Sequence, residues 1–383
     1  TGGNGGAGGN LIFPHPPVPA SPGGAGGVGG VDGATRLESC VVTGNAGGSG
    51  GSGGTAICFG CGAAGGSGGA GGARAQSLVN TLVINNVGGF AGQSFAPSPP
   101  VGGGAGGVII TPFGSLLGCA IASNSGGASA GASADQGAGG AEVRGGATVL
   151  NTTIWGNVAV AGGVGGLRTF GTLAMPVTNV ILWNNGVELS GGVPVQSSII
   201  QGGYPGLLIQ SSDPKLVSPA AADFHLQATS PAINFGDPTV LALLPAVDGD
   251  QEPRVGDGAL DIGADEYQLR LQIMQPAGPG SPVTVTHSRL AAGAEYFNLF
   301  SSSPCSGGLG SGPILGLCFS NFSEMLSQLL LPVGTPPFHY LASAPTQLHG
   351  PFAVPPVVLE SVLFRWDGTR VVASSAVVSV VVQ

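Results

Sequence analysis

A nine-residue pattern that returns six times in the first half of this 383-residue chain constrains its fold most. It reads Leu37-x-Ser39-Cys40-x-Val42-x-x-Asn45, then Leu78-x-Asn80-Thr81-x-Val83-x-x-Asn86, then Leu116-x-Gly118-Cys119-x-Ile121-x-x-Asn124. Three more copies are Val149-x-Asn151-Thr152-x-Ile154-x-x-Asn157, Val177-x-Asn179-Val180-x-Leu182-x-x-Asn185 and Val195-x-Ser197-Ser198-x-Ile200-x-x-Gly203. Leu or Val always opens the pattern, and Val, Ile or Leu always precedes the closing position by three. Such a unit cannot bury its apolar face alone and must stack on its neighbours, which defines a solenoid. Val42, Val83, Ile121, Ile154, Leu182 and Ile200 are expected to form one buried ladder. The closing Asn or Gly is expected to take φ > 0 and turn the chain out of its strand.

A second strand is expected after each closing residue. The candidates are Ala56-Ile57-Cys58, Val108-Ile109-Ile110, Glu142-Val143-Arg144, Leu167-Arg168-Thr169, Val187-Glu188-Leu189 and Leu207-Leu208-Ile209. The closing residues are 41, 38, 33, 28 and 18 positions apart, and the excess over a bare coil is Gly-rich. The stretches 47–54, 102–107, 126–140 and 162–166 all fall at the same corner. Backbones without Cβ can approach closely, so an ordered bank of polyproline-like segments, cross-bonded through their main chains, is expected there. The alternative is a fringe of flexible loops. Six coils at the strand spacing of ~4.8 Å make a rod of roughly 30 Å. Cys40 and Cys119 share a ladder position with Thr81 between them. Two rungs, ~10 Å, is too far for a disulfide, so two buried free thiols are expected.

Composition narrows the classes. The 74 Gly and 30 Pro approach the low-complexity range, but 42% hydrophobic and 8% charged residues oppose disorder. Collagen needs an unbroken Gly at every third position, which is absent. The net charge is −9 and Lys215 is the single Lys, so no basic stripe exists for nucleic acid or for an anionic membrane surface. No apolar run reaches the ~20 residues that span a bilayer. The start at Thr1 rather than Met fits removal of a secretory segment. Six Cys fit an oxidising compartment. Cys305 and Cys318 are the only Cys of the C-terminal part and are expected to pair; Cys58 and Cys61, in a Gly-rich loop without a nearby His, read as a short structural disulfide.

Residues 211–268 hold ten of the 19 acidic residues. They include Asp223-Phe224-His225-Leu226, Ser230-Pro231-Ala232-Ile233-Asn234-x-Gly236, Asp248-Gly249-Asp250-x-x-x-Arg254 and Asp261-Ile262-Gly263-Ala264-Asp265-Glu266-Tyr267. This succession resembles the end of the pectate-lyase-like β-helix repeats of large secreted bacterial surface proteins. The upstream copies resemble that family's L-x-N-C-T-I-x-G-N coils. The resemblance spans roughly residues 35–268 and implies a right-handed parallel β-helix and secretion, more than any activity. Asp248, Asp250, Asp257, Asp261 and Asp265 are candidates for a Ca²⁺ site. Alternatively they cap turns and pair with Arg254 while closing the solenoid end.

From Leu269 onward apolar alternation replaces Gly. Strands are expected at 269–274, 283–287, 296–300, 315–319, 357–366 and 370–382, with Asp367-Gly368 as a hairpin turn, which together read as a β-sandwich. The expected layout is thus a Gly/Pro-rich segment over 1–34, a parallel β-helix over 35–210, an acidic end cap over 211–268 and a small β-sandwich over 269–383. Asn151-Thr152-Thr153 and Asn321-Phe322-Ser323 match the N-glycosylation pattern.

Catalysis would need carboxylates converging on one bond. The coil region offers only Asp32, Glu38, Asp135, Glu142 and Glu188, with Glu142 and Glu188 two coils apart. The expected function is therefore non-enzymatic: an extracellular structural subunit of a surface fibre or envelope layer. The segment 1–30 is expected to be ordered against a neighbouring subunit, so that copies join head to tail, or else to extend a Gly-rich bank of its own chain. The alternative function is a carbohydrate-binding adhesin, with Trp155 and Trp183 lining a groove or forming a structural ladder. A polysaccharide lyase or glycosidase is the remaining class.

Overall fold

A computed structural model of the chain describes residues 1–7, 21–54, 63–95, 98, 101–129, 136–160, 162–255 and 259–383. The protein is all-β: a right-handed parallel β-helix followed by a small β-sandwich. It divides into two compact units, one made of Thr1–Leu226, Ser230–Arg254 and Leu260–Glu266, the other of Gln227–Thr229, Val255–Ala259 and Tyr267–Gln383.

Three short strands make a coil of the first unit. In the fourth coil they are Ala141–Arg144, Thr148–Leu150 and Thr153–Trp155. The six expected apolar residues pair rung on rung, Val42 with Val83, Ile121, Ile154, Leu182 and then Ile200, and all are buried. The second strands after Asn86, Asn124 and Asn157 fall where expected. Three others differ. Residues 56–58 lie outside the described residues, and the strand that follows the first coil is Ala73–Val79. After Asn185 the strand begins at Leu189, because Val187 and Glu188 turn the corner. Leu207–Gln210 pairs instead with Val195–Ile200, as a seventh, partial rung.

The closing asparagines do not take the left-handed conformation, whereas the closing Gly203 of the sixth copy does, with φ 79°. That conformation falls one residue earlier, at Gly44, Asn85, Ser123, Gly156 and Asn184, and again at Ser39, Asn80, Gly118, Asn151, Asn179 and Ser197. The closing asparagines form a ladder instead. The backbone N–H and Nδ2 of Asn45 both donate to Asn86 Oδ1; Asn86 does the same to Asn124, Asn124 to Asn157 and Asn157 to Asn185, all at 2.9–3.0 Å. Each Nδ2 of the inner rungs also donates to a strand carbonyl of the coil before, as Asn124 does to Val83. Turn-forming and ladder-forming residues are thus separate, which frees the ladder Asn for hydrogen bonding.

The ladder ends where the Gly bank begins. Ala46, Val87, Ser125 and Val158, each following a ladder Asn, pair in one parallel column. The bank beyond it is ordered. Gly137 N–H donates to Gly127 O, Gly127 to Gly104, Gly104 to Gly89, Gly89 to Gly69, Gly69 to Gly48, Gly48 to Gly27 and Gly27 to Gly3, all within 2.7–3.0 Å. Bonded residues recur at intervals of three, as in Gly23, Gly26 and Gly29, the period of a polyproline II helix. A Cβ on Gly69 would lie 2.0 Å from Gly27 O, and one on Gly104 1.9 Å from Gly69 O. Only Gly permits this approach. Residues 1–6 and 23–29 belong to the same bank: Gly2 donates to Ala46 O, Gly5 to Ser49 O and Gly26 to Ser67 O. The described part of the N-terminal segment therefore packs on its own chain rather than awaiting a neighbour.

The acidic region does not lie across the end of the solenoid. It runs lengthwise over the left-handed corner of coils two to six. Asn80 donates to Val247 O and Asp248 O, Asn151 to Asp261 O and Asn179 to Asp237 O, while Gln196 donates to Asp237 Oδ2. The terminal rung stays open, with Leu207 65% and Leu208 58% exposed. The physical reason is that the corner asparagines carry side-chain donors that a lengthwise strap can satisfy.

In the second unit, Arg270–Met274, Val283–Ser288 and Thr346–Phe352 form an antiparallel three-stranded sheet. His339–Leu341, Glu295–Ser301, Val357–Trp366, Val371–Ser374 and Val378–Val382 form the other sheet. Asp367 Oδ1 accepts from the Thr369 and Arg370 N–H groups to make the expected hairpin. Residues 315–319 are not a strand, and Phe322–Leu329 is a helix whose first turn is held by Asn321, which caps the Glu324 N–H, and by Glu324, whose carboxylate accepts the Ser320 N–H. Cys305 and Cys318 form a disulfide.

Two substitution pairs test this packing by chemical denaturation. Gly69→Ala should destabilise the protein by about 3 kcal/mol or more, whereas Gly6→Ala, with nothing within 4 Å of its Cβ, should be near neutral. Asn124→Ala removes the acceptor of the buried Asn86 N–H and a donor to the Val83 carbonyl and should cost about 2–4 kcal/mol; Asn45→Ala, on the half-buried first rung, should cost markedly less.

Candidate functional site

The expected Ca²⁺ candidates are partly brought together. The carboxylates of Asp248, Asp250 and Asp265 converge with that of Glu252, and His225 joins Asp250 and Asp265, ligand atoms lying within 4.8 Å of one another. Asp261 is not among them, and Asp257 lies outside the described residues. Asp261 Oδ1 instead accepts Asn234 N–H at 2.6 Å, and its carbonyl receives Asn151.

Protein donors engage this cluster. Asp248 Oδ1 accepts the N–H groups of Asp250 and Glu252, and its Oδ2 that of Glu266. Asp265 Oδ2 accepts Leu226 N–H. The His225 ring bridges Asp223 Oδ1 at 2.6 Å and Asp250 Oδ2 at 2.7 Å. A cavity of about 270 Å³ lies beside it, bordered by His225, Asp250 and Asp265 on the strap and by Cys40, Val41 and Thr81 on the coils.

Arg254 is the buried cation of this region, 1% exposed. Its Nη2 donates to Asn80 Oδ1 and its Nη1 to Ala264 O. It reaches Asn80 through the gap at Gly118: a Cβ there would lie 2.4 Å from Asn80 Oδ1 and 2.5 Å from Arg254 Nη2. The coil sequence thus carries Gly in the third copy because the strap's guanidinium fills that place. Burial pulls the Arg254 pKa down, while the charges of Asp248, Glu266 and Asp265 oppose this. Burial, aided by the hydrogen bond and charge of Asp250, raises the Asp248 pKa to about 7. Asp248 thus caps the turn at 248–252, while the Arg254 guanidinium donates to Asn80 and the Ala264 carbonyl.

A second concave surface lies between the Gly bank and the second-strand face. It encloses about 490 Å³ and is lined by Arg74, Arg144, Arg168, Glu142 and Phe170 among others. Arg144 and Arg168 flank the buried Glu142 at 3.6 and 4.0 Å, and both guanidinium groups lie over the Phe170 ring. Arg74 is held bidentately by Asp32. Glu188 is elsewhere: it ends the Asn ladder, accepting Asn185 N–H and Nδ2 at 2.9 and 2.6 Å. Burial raises its pKa against those bonds.

Trp155 and Trp183 pair on adjacent rungs and are half-buried. Cys119 is a buried free thiol whose pKa burial pushes up to about 12. Cys40 is free but only half-buried, since the first rung has a neighbour on one side alone. Cys58 and Cys61 lie outside the described residues. Asn151 is fully buried, its Oδ1 bonded to Asn179 and its Nδ2 to Asp261, so the folded chain does not present it for glycosylation. Asn321 is exposed, with its side chain engaged as the helix cap. Among the described residues no helix is long and apolar enough to cross a membrane. Comparison with protein-family models, curated proteins and solved structures finds no match.

The Asp248 environment predicts a pH dependence. A carboxyl raised above its ordinary value of 3.8 favours the protonated folded state, so its contribution to stability is present at low pH and declines as pH rises toward about 7. Thermal melts of wild type and Asp248→Asn between pH 4 and pH 8 should show a shallower decline for the variant. Equal slopes would remove Asp248 as the source.

Proposed function

We propose that this chain is a non-enzymatic structural subunit of an extracellular fibre or envelope layer, assembling head to tail. The observation that carries the reading is that, among the described residues, each terminal rung of the β-helix pairs on one side only. At one end Val31–Glu38 is largely exposed and Val41 is 64% exposed; at the other, Leu207 and Leu208 are exposed. Unpaired strand edges with apolar side chains invite strand addition. Because the two ends differ, contacts between them are heterologous and propagate unless a rotation closes them. The strap's resemblance to the end of secreted bacterial surface repeats supports the extracellular placement. Low charge and a bank held by main-chain bonds suit a load-bearing role.

A second reading, a carbohydrate-binding adhesin, has one observation in its favour. The Arg144–Phe170–Arg168 stack beside Glu142 offers an aromatic face and guanidinium donors in one groove, the chemistry that suits an acidic sugar.

Negative-stain imaging and sedimentation test the assembly. Wild-type protein should form filaments that lengthen with concentration. Val41→Lys and Leu207→Lys, each placing a charge on one terminal rung, should shift the onset of assembly to at least tenfold higher concentration. A wild-type protein that stays monomeric at the highest attainable concentration would defeat the reading.

A further inference from the structure

The β-sandwich carries a polar cluster between its sheets that neither the fold nor the proposed assembly requires. His287 is fully buried on the inner face of Val283–Ser288. Gln347 stands directly across the strand pair from it, and His349 lies two residues along, opposite Val285. The rings of His287 and His349 are 4.8 Å apart, centroid to centroid. From the opposite sheet, Tyr340 stacks on His287 and packs against His349 at 4.9 Å.

Three buried polar atoms of this cluster lack a hydrogen-bond partner among the described residues: His287 Nε2, His349 Nε2 and Gln347 Oε1. Buried polar atoms are almost always satisfied, and three orphans on adjacent side chains call for a common partner. The other ends of two of these groups are fixed. His287 Nδ1 lies 2.5 Å from the Tyr340 hydroxyl, and Gln347 Nε2 donates to Ser343 Oγ at 2.7 Å. With Nδ1–H donating to Tyr340, His287 presents its lone pair at Nε2. With its amide nitrogen held by Ser343, Gln347 presents its oxygen. A metal-binding histidine is oriented in this way through its second nitrogen. A cavity of about 570 Å³ is lined by Tyr340, Ser343, Gln347 and His349 among others, with His287 lying behind them.

We propose that His287 Nε2, His349 Nε2 and Gln347 Oε1 bind a divalent transition-metal ion of the zinc class, with water from the cavity as a further ligand. Two neutral imidazoles suit Zn²⁺ and disfavour Ca²⁺ and Mg²⁺, and the amide oxygen is the weaker third donor. This site is distinct from the acidic cluster around Asp248, which belongs to the other unit and is made mainly of carboxylates.

Full-length protein is stripped with chelator and titrated with Zn²⁺ by calorimetry, with bound metal counted by mass spectrometry. One Zn²⁺ per chain should bind, and the imidazole nitrogen resonances of His287 and His349 should shift together. His349→Gln, chosen because His349 is only half-buried, should weaken binding at least tenfold while retaining the wild-type circular dichroism spectrum. His225→Ala should leave binding unchanged. Three results would each overturn the proposal: no Zn²⁺ binding to wild type, binding unaffected by His349→Gln, or binding lost in His225→Ala. In the first case the orphaned atoms hold ordered water only.

Discussion

The asparagine ladder is the interaction on which the rest of the solenoid depends. Each inner Asn ties its own rung to the rungs above and below through one Oδ1 and one Nδ2. This locks the vertical register of the coils at the corner where the Gly segments leave. The Gly bank needs that lock. A Gly segment has no side chain with which to choose a register, and its order comes from main-chain bonds to neighbours that must already lie at the right height. Ala46, Val87, Ser125 and Val158 transmit the height directly, each sitting between a ladder Asn and a Gly segment. Once positioned, close approach keeps the bank in place, because each backbone occupies the space a Cβ would need.

Much of this was legible in the sequence because the repeat fixes chemistry as well as spacing. The apolar ladder, the common corner and the ordering of Gly followed from residues whose environment is set by their immediate repeat neighbours. The failures share the opposite property. Asn151 reads as an accessible sequon until Asp261, 110 residues away, accepts its side-chain hydrogen bond. Gly118 looks like drift in the pattern until Arg254 occupies its place. The acidic region reads as a cap because it follows the last coil, yet its contacts run along the rod. Asn at the end of the first five copies suggests a turn, since Asn tolerates φ > 0, but hydrogen bonding along the ladder gives its amide a stronger use and leaves the turn to the residue before.

The cluster around Asp248 was half legible for the same reason. Acidic density identified the region, and Asp248, Asp250 and Asp265 do meet. What spacing concealed was His225, whose ring ties Asp223 to Asp250, and the engagement of Asp248 by three backbone N–H groups. A carboxylate surrounded by donors behaves as a turn cap, and that chemistry is fixed by local backbone geometry rather than by how many acids are near.

The two ends of the ladder bear on how copies can join. An Asn both donates and accepts, so it can propagate a ladder; a carboxylate only accepts, so Glu188 can terminate one. At the other end, Asn45 donates to Asn86 and Thr43, and its Oδ1 has no partner among the described residues. The coil of Val195–Ile200 and the partial rung Leu207–Gln210 lie beyond that carboxylate, with Gly203 rather than Asn in the ladder column, so the row ends inside the chain. In the proposed head-to-tail assembly the contact would fall to the strand rows, whose terminal strands Leu207–Gln210 and Val31–Glu38 each pair on one side only among the described residues. The register lock thus lies within the chain, running from Asn45 to the carboxylate of Glu188.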